Sequence, residues 1–350
     1  MRIEIYFLLV FVYLLIVGTA EAATLTVGEN GQANYTMIQE AINNANDGDT
    51  ILVYNGTFSE NVIVNRSVSI KSNSGNPDDT IVQAANSKEH IFNVTKDNVT
   101  ISGFKITGAG DFVESPVAGI YLEGVSKNII SNNKLSQNVV GIDLQSSHNN
   151  MLENNTAYDN ERGISLTNSN SNNLINNDAF NNRFGIYFWG SKNNIMSDNN
   201  ASLNEENGIW IEDGSNNNTL SNNMISNSDS GIHLTESSSN NTIESNNVTS
   251  SLVGIQIIDS NNNTVKDNFL TNNSRTGVSI MRDSSNNTVK NNFLSNNSEN
   301  IVTEDSNNQI YNNEIKESEI HNADTSQVPF TDPLLTVIII FGTFAFMRKK

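Results

Sequence analysis

The stretch GIHLTESSSNNTIESNNVTSSLV, residues 231–253, is followed at once by GIQIIDSNNNTVKDNFLTNNSRT, residues 254–276. Both open with Gly-Ile and an apolar residue two positions later, and both continue through a polar run to Asn-Asn-Thr. Glycine returns at the same place in unit after unit, at intervals of 22 or 23 residues, and Asn300 fills the next position: Gly119, Gly141, Gly163, Gly185, Gly208, Gly231, Gly254 and Gly277. A period this constant predicts a stack of repeats in which each unit is stabilised by its neighbours.

Each unit has the pattern of three short strands. Ile232 and Leu234 alternate with polar residues, as in a strand with one buried face, and Ile243 and Val248 supply the apolar points of two more strands. The corners are rich in Asn, Ser and Gly, which tolerate left-handed backbone angles. The pattern predicts an all-β, right-handed, single-stranded parallel β-helix of 22–23-residue coils, with successive coils about 4.8 Å apart.

Two other repeat folds fit less well. A leucine-rich repeat also has a period in the twenties, but it requires L-x-x-L-x-L spacing, which the units lack. Left-handed β-helices use hexapeptide repeats, and neither 22 nor 23 is a multiple of six.

The frequent Asn residues predict ladders of side-chain hydrogen bonds from coil to coil. Two candidate ladders follow the corners: Asn150, Asn173, Asn194, Asn218 and Asn241 at one, and Asn155, Asn177, Asn200, Asn223 and Asn247 at another.

The region before the glycine repeat predicts an N-terminal cap. Residues 23–115 form this cap and the first coils, and residues 116–320 form the repeats. Thr36 to Gln39 has the pattern of a capping box that opens an amphipathic helix over residues 36–45. Such a helix would cover the open end of the stack.

Both chain ends have features of export and retention. Residues 1–22 are a predicted signal peptide, ending in an A-x-A cleavage site. Residues 334–350 are a predicted membrane segment and basic tail, although the apolar stretch is shorter than the ~20 residues of a typical spanning helix. The linker 321–333 contains Val328, Pro329 and Pro333, which resemble the V-P-x-x-x-P signature of archaeal sorting tails and imply a sorting enzyme as partner; a plain membrane anchor is the alternative.

The segments IQEAINNANDGDTILVYNGTFSENVIV (38–64) and NVTISGFKITG (98–108), together with the coils, resemble the NosD-like group of the pectin lyase-like superfamily, also described as CASH domains. The resemblance covers about residues 24–320. It implies the β-helix fold, but that superfamily includes lyases, hydrolases, epimerases, phage tailspikes and copper-site maturation factors, so it implies no single activity.

Composition narrows the range of partners. The formal net charge is −19, with 19 basic residues and no cysteine. Basic residues form no cluster in the body of the chain, which argues against a nucleic-acid partner. Disulfide stabilisation is excluded. Because the chain is acidic, cations and neutral or cationic glycans are the favoured partners.

The strand that follows each glycine predicts a candidate carbohydrate-binding face. The positions two and four residues after the glycines should point outward, and several carry aromatic or acidic side chains: Tyr121, Asp143, Tyr187, Trp189, Trp210, Glu212 and His233. Exposed rings beside carboxylates suit the C–H faces and hydroxyls of a sugar chain. Packing of these rings under a loop or against a neighbouring molecule is the alternative, and a lyase or glycoside hydrolase using Glu212 or Asp143 is a second one.

A column of acids raises the possibility of Ca²⁺, with no other cofactor indicated. Asp213, Glu236 and Asp259 share one position in successive units, and Arg282 follows them. A solvated acidic corner explains the same pattern. Copper maturation, the role of the family's namesake, is disfavoured because the four histidines are scattered and cysteine is absent.

Fourteen N-x-S/T sequons occur, many of them because Asn-Asn-Thr is the corner phrase. An Asn that faces inward in a ladder cannot carry a glycan. Together these features predict an exported, envelope-anchored surface protein with a structural or carbohydrate-binding role.

Overall fold

The computed structural model describes residues 22–29, 31, 33–110 and 116–316. The predicted linker with its sorting motif, the predicted membrane segment and all but the last residue of the predicted signal peptide lie outside these residues. Helix α1, Ile38–Asn44, is followed along the chain by a stack of coils, and Pro77–Asp79 forms one 3₁₀ turn. No helix within the described ranges is both long and apolar enough to cross a membrane.

Most coils contribute one strand to each of three parallel sheets, as the sequence predicted. Sheet I has eleven strands, most of them beginning beside the repeated glycine. Its strands are β4 (Val62–Val64), β7 (Phe92–Val94), β10 (Ala118–Glu123), β13 (Val140–Gln145), β16 (Arg162–Thr167), β19 (Phe184–Trp189), β21 (Asn207–Glu212), β24 (Ser230–Leu234), β27 (Val253–Ile258), β30 (Thr276–Met281) and β33 (Glu299–Thr303).

Sheet II has thirteen strands and follows sheet I around each corner. Its strands are β1 (Thr24–Val27), β2 (Thr50–Val53), β5 (Ser69–Ser72), β8 (Thr100–Ser102), β11 (Ile129–Ser131), β14 (Met151–Glu153), β17 (Asn173–Ile175), β20 (Ile195–Ser197), β22 (Thr219–Ser221), β25 (Thr242–Glu244), β28 (Thr264–Lys266), β31 (Thr288–Lys290) and β34 (Gln309–Tyr311).

Sheet III is divided into strips of six and five strands. The first strip is β3 (Gly56–Ser59), β6 (Thr80–Gln83), β9 (Lys105–Thr107), β12 (Lys134–Ser136), β15 (Thr156–Tyr158) and β18 (Asp178–Phe180). The second is β23 (Met224–Ser226), β26 (Asn247–Thr249), β29 (Phe269–Thr271), β32 (Phe293–Ser295) and β35 (Glu314–Lys316). Between the strips, Asn200 makes only single bridges to Asp178 and Met224.

The register places like residues above like residues. Ile142 pairs with Ile164 and Leu144 with Leu166, and all four side chains are fully buried. Because paired strands of successive coils repeat this match, the core is a set of continuous apolar columns, with Phe188 between Leu166 and Ile211 in one of them.

The Asn ladders exist, but their register differs by one residue at three predicted positions. Asn194 is representative: its Oδ1 accepts from the backbone N–H (2.8 Å) and Nδ2 (3.2 Å) of Asn172. Its Nδ2 donates to the carbonyl of Ser169 (3.0 Å). The predictions of Asn173, Asn200 and Asn247 as ladder members are wrong, since Asn172, Asn199 and Asn246 occupy those positions.

The reason for the shift is the backbone at the corner. The residue before nearly every ladder Asn has positive φ, for example 57° at Ser171 and 56° at Ser245. This left-handed residue turns the side chain of the next residue, the ladder Asn, toward the interior. The residue after the ladder Asn then faces outward at the start of the following strand.

The repeated glycines face the interior rather than solvent. A Cβ on Gly163 would lie 2.6 Å from the carbonyl oxygen of Gly185 and 3.2 Å from the Cβ of Ala179, a core residue. Only glycine fits where the backbones of successive coils approach this closely. The glycine and the residue that follows it therefore both face the interior, and the alternation of inward and outward positions begins after them.

Helix α1 is capped by a distant residue. Thr36 forms no capping box: the N-cap is Met37, which makes no side-chain capping bond. Instead the carboxylate of Glu60 accepts from the backbone N–H of Ile38 (2.8 Å) and of Gln39 (3.0 Å). A negative charge at this end also suits the helix dipole.

Candidate functional site

The predicted face lies on the outer side of sheet I. The pairing of strands puts Tyr121, Asp143, Ser165, Tyr187, Trp210 and His233 into one file, each one coil from the next. Trp189 and Glu212 pair with each other in a parallel file. The structure therefore brings the predicted residues onto one face, in two groups separated by Asp143 and Ser165.

The larger group is a cluster of rings packed on one another. The centroid of Trp210 lies 5.1 Å from that of Tyr187 and 6.2 Å from that of His233, with which it stacks. Tyr187 is only 4% exposed. Tyr187 is thus covered by its neighbours and is unavailable as an open stacking platform, and Trp210 and His233 are partly buried, contrary to the sequence-based expectation of exposed rings.

Two members of this cluster were missed by sequence reasoning. Phe184 lies 5.1 Å from Trp210, and the guanidinium of Arg162 lies 4.6 Å from the centroid of Tyr187. Both residues stand directly before a repeated glycine. Because the inward glycine drops out of the strand pairing, the position before it shares the outward face with the position two residues after it.

Trp189 is the exposed ring of the face. Its side chain is 47% exposed, and it pairs in register with Glu212, whose carboxylate accepts a hydrogen bond from the Tyr187 hydroxyl. Partial burial raises the pKa of Glu212, and the Tyr187 hydrogen bond opposes that rise. Burial and the Glu212 carboxylate both raise the pKa of Tyr187, so its hydroxyl remains a donor at neutral pH.

Asp143 is a buried carboxyl on the same face. It is 3% exposed, and burial raises its pKa to about 6, with the hydrogen bond from Gln145 acting in the opposite direction. The side-chain amide nitrogen of Gln145, Nε2, donates to both carboxyl oxygens of Asp143, at 3.1 Å and 3.2 Å. Asp143 thus titrates near the physiological range.

Tyr121 belongs to a second, smaller group. Its ring stacks on His90 with centroids 3.9 Å apart. Burial lowers the pKa of His90 to about 4 and, with Glu123 and Asp143, raises that of Tyr121 to about 12. Both rings are therefore neutral at neutral pH.

The predicted calcium column is a row of corner residues. Asp213, Glu236, Asp259 and Arg282 all have positive φ, between 49° and 55°. Arg282 lies 3.5 Å from the carboxylate of Asp259. Across the described ranges, no three His, Asp or Glu side chains are gathered closely enough to hold one metal ion.

The histidines within the described ranges occupy separate places. His90 and His148 each accept a backbone N–H through Nδ1, from Ala118 and Asn170 respectively, both at 3.0 Å. Burial lowers the pKa of His233 to about 4. These three side chains are fixed individually in the coils that carry them.

Two family models match parts of the chain. The model described as "Right handed beta helix region" matches residues 82–248, and the model described as "Periplasmic copper-binding protein (NosD)" matches residues 176–327. A "Cell surface glycoprotein" of Methanothermus fervidus is 35% identical over 127 residues, which are 36% of this chain and 19% of that protein. The chain thus spans about a fifth of the curated relative that it matches.

Solved structures with the same fold include a mannuronan C-5 epimerase module of Azotobacter vinelandii, AlgE6, with TM-score 0.64 and 17% identity over 80% of this chain and 94% of that one. The Dettilon tailspike protein has TM-score 0.64 and 14% identity over 83% and 68%. The catalytic domain of a GH87 α-1,3-glucanase has TM-score 0.58 and 14% identity over 82% and 68%. At such identities these structures establish the fold alone. The stacked parallel strands and the match to the right-handed β-helix model together show that the chain is a right-handed parallel β-helix protein, as its glycine spacing predicted.

Proposed function

We propose that this β-helix is an exported surface protein that binds polysaccharide through the face around Trp189. The observation that carries the proposal is the pairing of an exposed indole with a carboxylate in register beside it. A pyranose ring stacked on Trp189 would place its hydroxyls near Glu212, which Tyr187 holds in place.

The packed rings beside this pair hold Glu212 in place through the Tyr187 hydroxyl. Tyr187 contacts Trp210, and Trp210 contacts both Phe184 and His233. Because these side chains are immobilised by one another, little entropy remains to be lost at the surface when a ligand binds. The relative named as a cell surface glycoprotein supports placement outside the cytoplasm.

The test is binding of the purified protein to a panel of acidic and neutral polysaccharides, measured by calorimetry or affinity electrophoresis. Trp189→Ala should weaken binding at least tenfold, which corresponds to about 1.4 kcal/mol. Phe269→Ala is the matched control: Phe269 is also 47% exposed but lies on sheet III. Equal losses in both variants, or none in either, would refute the assignment of the face.

A polysaccharide lyase or glycoside hydrolase is the second candidate. It is favoured by two carboxyl groups with raised pKa on one face, Asp143 and Glu212. Incubation of the same polysaccharides with the protein, with Ca²⁺ or with EDTA, separates the two candidates. New reducing or unsaturated ends that vanish in Glu212→Gln would establish catalysis, whereas binding without turnover supports the first candidate.

Retention at the envelope through residues 334–350 is part of the proposal. Fractionation of cells and mass spectrometry of the mature C-terminus would test it. Cleavage near Val328, Pro329 and Pro333 would indicate a sorting enzyme, and an intact tail in the membrane fraction would indicate a plain anchor.

A further inference from the structure

At the corner between sheets I and II, the first Asn of the Asn-Asn-Thr sequence faces outward and the second faces inward. In residues 240–242 the second residue, Asn241, is the ladder member and is 1% exposed. The first, Asn240, is exposed and has φ of 59°. In the N-x-T sequon that ends at Thr242, the acceptor is this first, outward-facing Asn.

This arrangement recurs in four successive coils. The acceptors Asn217, Asn240, Asn262 and Asn286 are all exposed with φ between 56° and 59°. They form one column, because the backbone N–H of each of the first three donates to the carbonyl of the residue that precedes the next acceptor, at 3.1–3.2 Å. Among the hydrogen bonds of the described residues, the only one involving these four side-chain amides is a 3.4 Å contact from Asn286 Nδ2 to Ser285 Oγ.

The same corner lacks sequons in the four coils just before these, whereas one coil earlier Asn98, with φ of 59°, stands in the sequon Asn98-Val99-Thr100. The equivalent outward residues are Lys127, Asn149, Ser171 and Asn193, and two positions later stand Ile129, Met151, Asn173 and Ile195 instead of threonine. The backbone is unchanged across this boundary, since Asn149 and Asn193 have φ of 55° and 58°. The residue types at this corner, and not its backbone conformation, therefore decide which coils carry an N-glycan acceptor there.

We infer that the corner formed by Asn217, Asn240, Asn262 and Asn286 carries N-linked glycans, while the corner of the coils that bear Tyr121 to Trp189 stays bare. In the transfer, Asn Nδ2 forms a bond to the anomeric carbon of a sugar activated as a lipid-linked phosphate. The bond from that carbon to the phosphate oxygen breaks, the lipid phosphate leaves, and the amide loses one proton. The inference rests on export but not on polysaccharide binding.

The outward geometry is what makes these sites compatible with folding. A glycan on a ladder Asn would replace an amide that donates to two acceptors inside the stack, as Asn241 Nδ2 does to Ser215 and Asn263. A glycan on a column acceptor displaces only solvent or, at Asn286, one long contact. The sequon at Asn93 is the native contrast, because its Oδ1 is enclosed without a hydrogen-bond partner among the described residues.

The experiment is site-resolved glycopeptide mass spectrometry of the full chain, produced in an exporting host that modifies a co-expressed sequon reporter. Sugar is expected on peptides containing the four column acceptors and is not expected on Asn93. Thr242→Ala should remove the glycan at Asn240, and Thr242→Ser, which keeps the sequon, should retain it.

Ile195→Thr is the gain-of-function test. It creates the sequon Asn193-Asn194-Thr at the bare part of the corner, and Ile195 is 48% exposed, so the change costs little stability. A new glycan at Asn193 is expected. Bare column acceptors beside a modified reporter, or an unmodified Asn193 in a chain whose column is modified, would overturn the inference, whatever the outcome of the polysaccharide-binding assays.

Discussion

The coils before and after residue 234 have the same interior but different exteriors. Inside, Ile and Leu columns and two Asn ladders run through both regions without a break. Outside, the sheet I file changes from Tyr187, Trp210 and His233 to Gln256 and Ser279. The outer file of sheet II changes two coils earlier, from Ile195 to threonine at Thr219 and in the three coils that follow.

The difference shows that the interior and exterior positions of one repeat have separate roles. Interior positions are fixed because each must match the coil above and below, so a change at one level leaves a defect at two interfaces. The side chains at exterior positions are constrained only by exposure to solvent and by ligand binding. Function is therefore to be sought where the exterior departs from the repeat, at the aromatic cluster and at the sequon column, which overlap in the coils of Trp210 and His233.

The strongest test of the shared interior is Gly231→Ala, at the junction of the two regions. The added Cβ would contact Val248 Cγ1 and lie 2.6 Å from the carbonyl oxygen of Gly254, so the coils must separate locally. We expect a loss of about 3 kcal/mol and a split unfolding transition, because the two regions become less coupled. Urea unfolding followed by far-UV circular dichroism and by tryptophan fluorescence would measure both effects.

Gly214→Asn is the control for this substitution. Gly214 has φ of 66° and nothing closer than 3.9 Å to an added Cβ, and Asn tolerates that conformation. A change within about 0.5 kcal/mol is expected. A single, unshifted transition in Gly231→Ala would contradict the close-approach explanation.

The ladder register predicts unequal effects for two adjacent asparagines. Asn246→Ala removes an amide that donates to Leu220 and Asn268 and accepts from Asn223, so buried groups lose their partners. A loss of about 2–3 kcal/mol is expected. Asn247→Ala changes an exposed strand position and should stay within about 0.5 kcal/mol in the same urea titration. Equal effects would mean that the register is misassigned.

Asp143→Asn tests the aromatic region through its pH dependence. Since the folded-state pKa of Asp143 is raised from 3.8 to about 6, its stabilising contribution is complete below about pH 4 and is lost as pH rises through 6. The variant should therefore gain about 2 kcal/mol relative to wild type at pH 7 and little at pH 4. The exposed Asp198→Asn serves as the control, and a pH-independent difference between Asp143→Asn and wild type would disprove the buried-carboxyl account.

Trp210→Ala should sharpen the exterior contrast with the smallest effect on stability. Loss of contacts with Phe184, Tyr187 and His233 is expected to cost about 1–2 kcal/mol. Gln256→Ala, two coils further in the same file, should change stability by less than about 0.5 kcal/mol. Denaturant midpoints by circular dichroism would compare them, and similar losses would show that the aromatic cluster contributes no packing of its own.

The fold was predictable because periodicity survives any error in local detail. The spacing of the glycines fixed the coil length, and the alternation of Ile232 and Leu234 identified the buried side of sheet I. The ladder register was not predictable in the same way, because adjacent asparagines are chemically identical. Which of them turns inward depends on a positive φ at the preceding residue, as at Ser245 before Asn246.

The candidate site was predictable in outline and not in its contacts. The file from Tyr121 to His233 followed from spacing alone. Phe184 and Arg162 were missed because the inward glycine resets the alternation of the strand, a signal that becomes readable once glycines are counted as core positions. The capping role of Glu60 was missed because the acceptor lies 22 residues from Ile38 along the chain.

The close approach at the glycine column also restricts which residue can occupy this position when another coil follows. Each column glycine makes room for the carbonyl of the coil that follows it, and the last one, Gly277, makes room for that of Asn300. Asn300 has no following sheet I strand among the described residues, and its side chain bonds to Asn297 instead. Because the glycine position leaves no room for a Cβ, we expect that stacking a glycine-bearing coil directly on Asn300 would first require Asn300→Gly, whereas duplicating a glycine-bearing coil upstream would not.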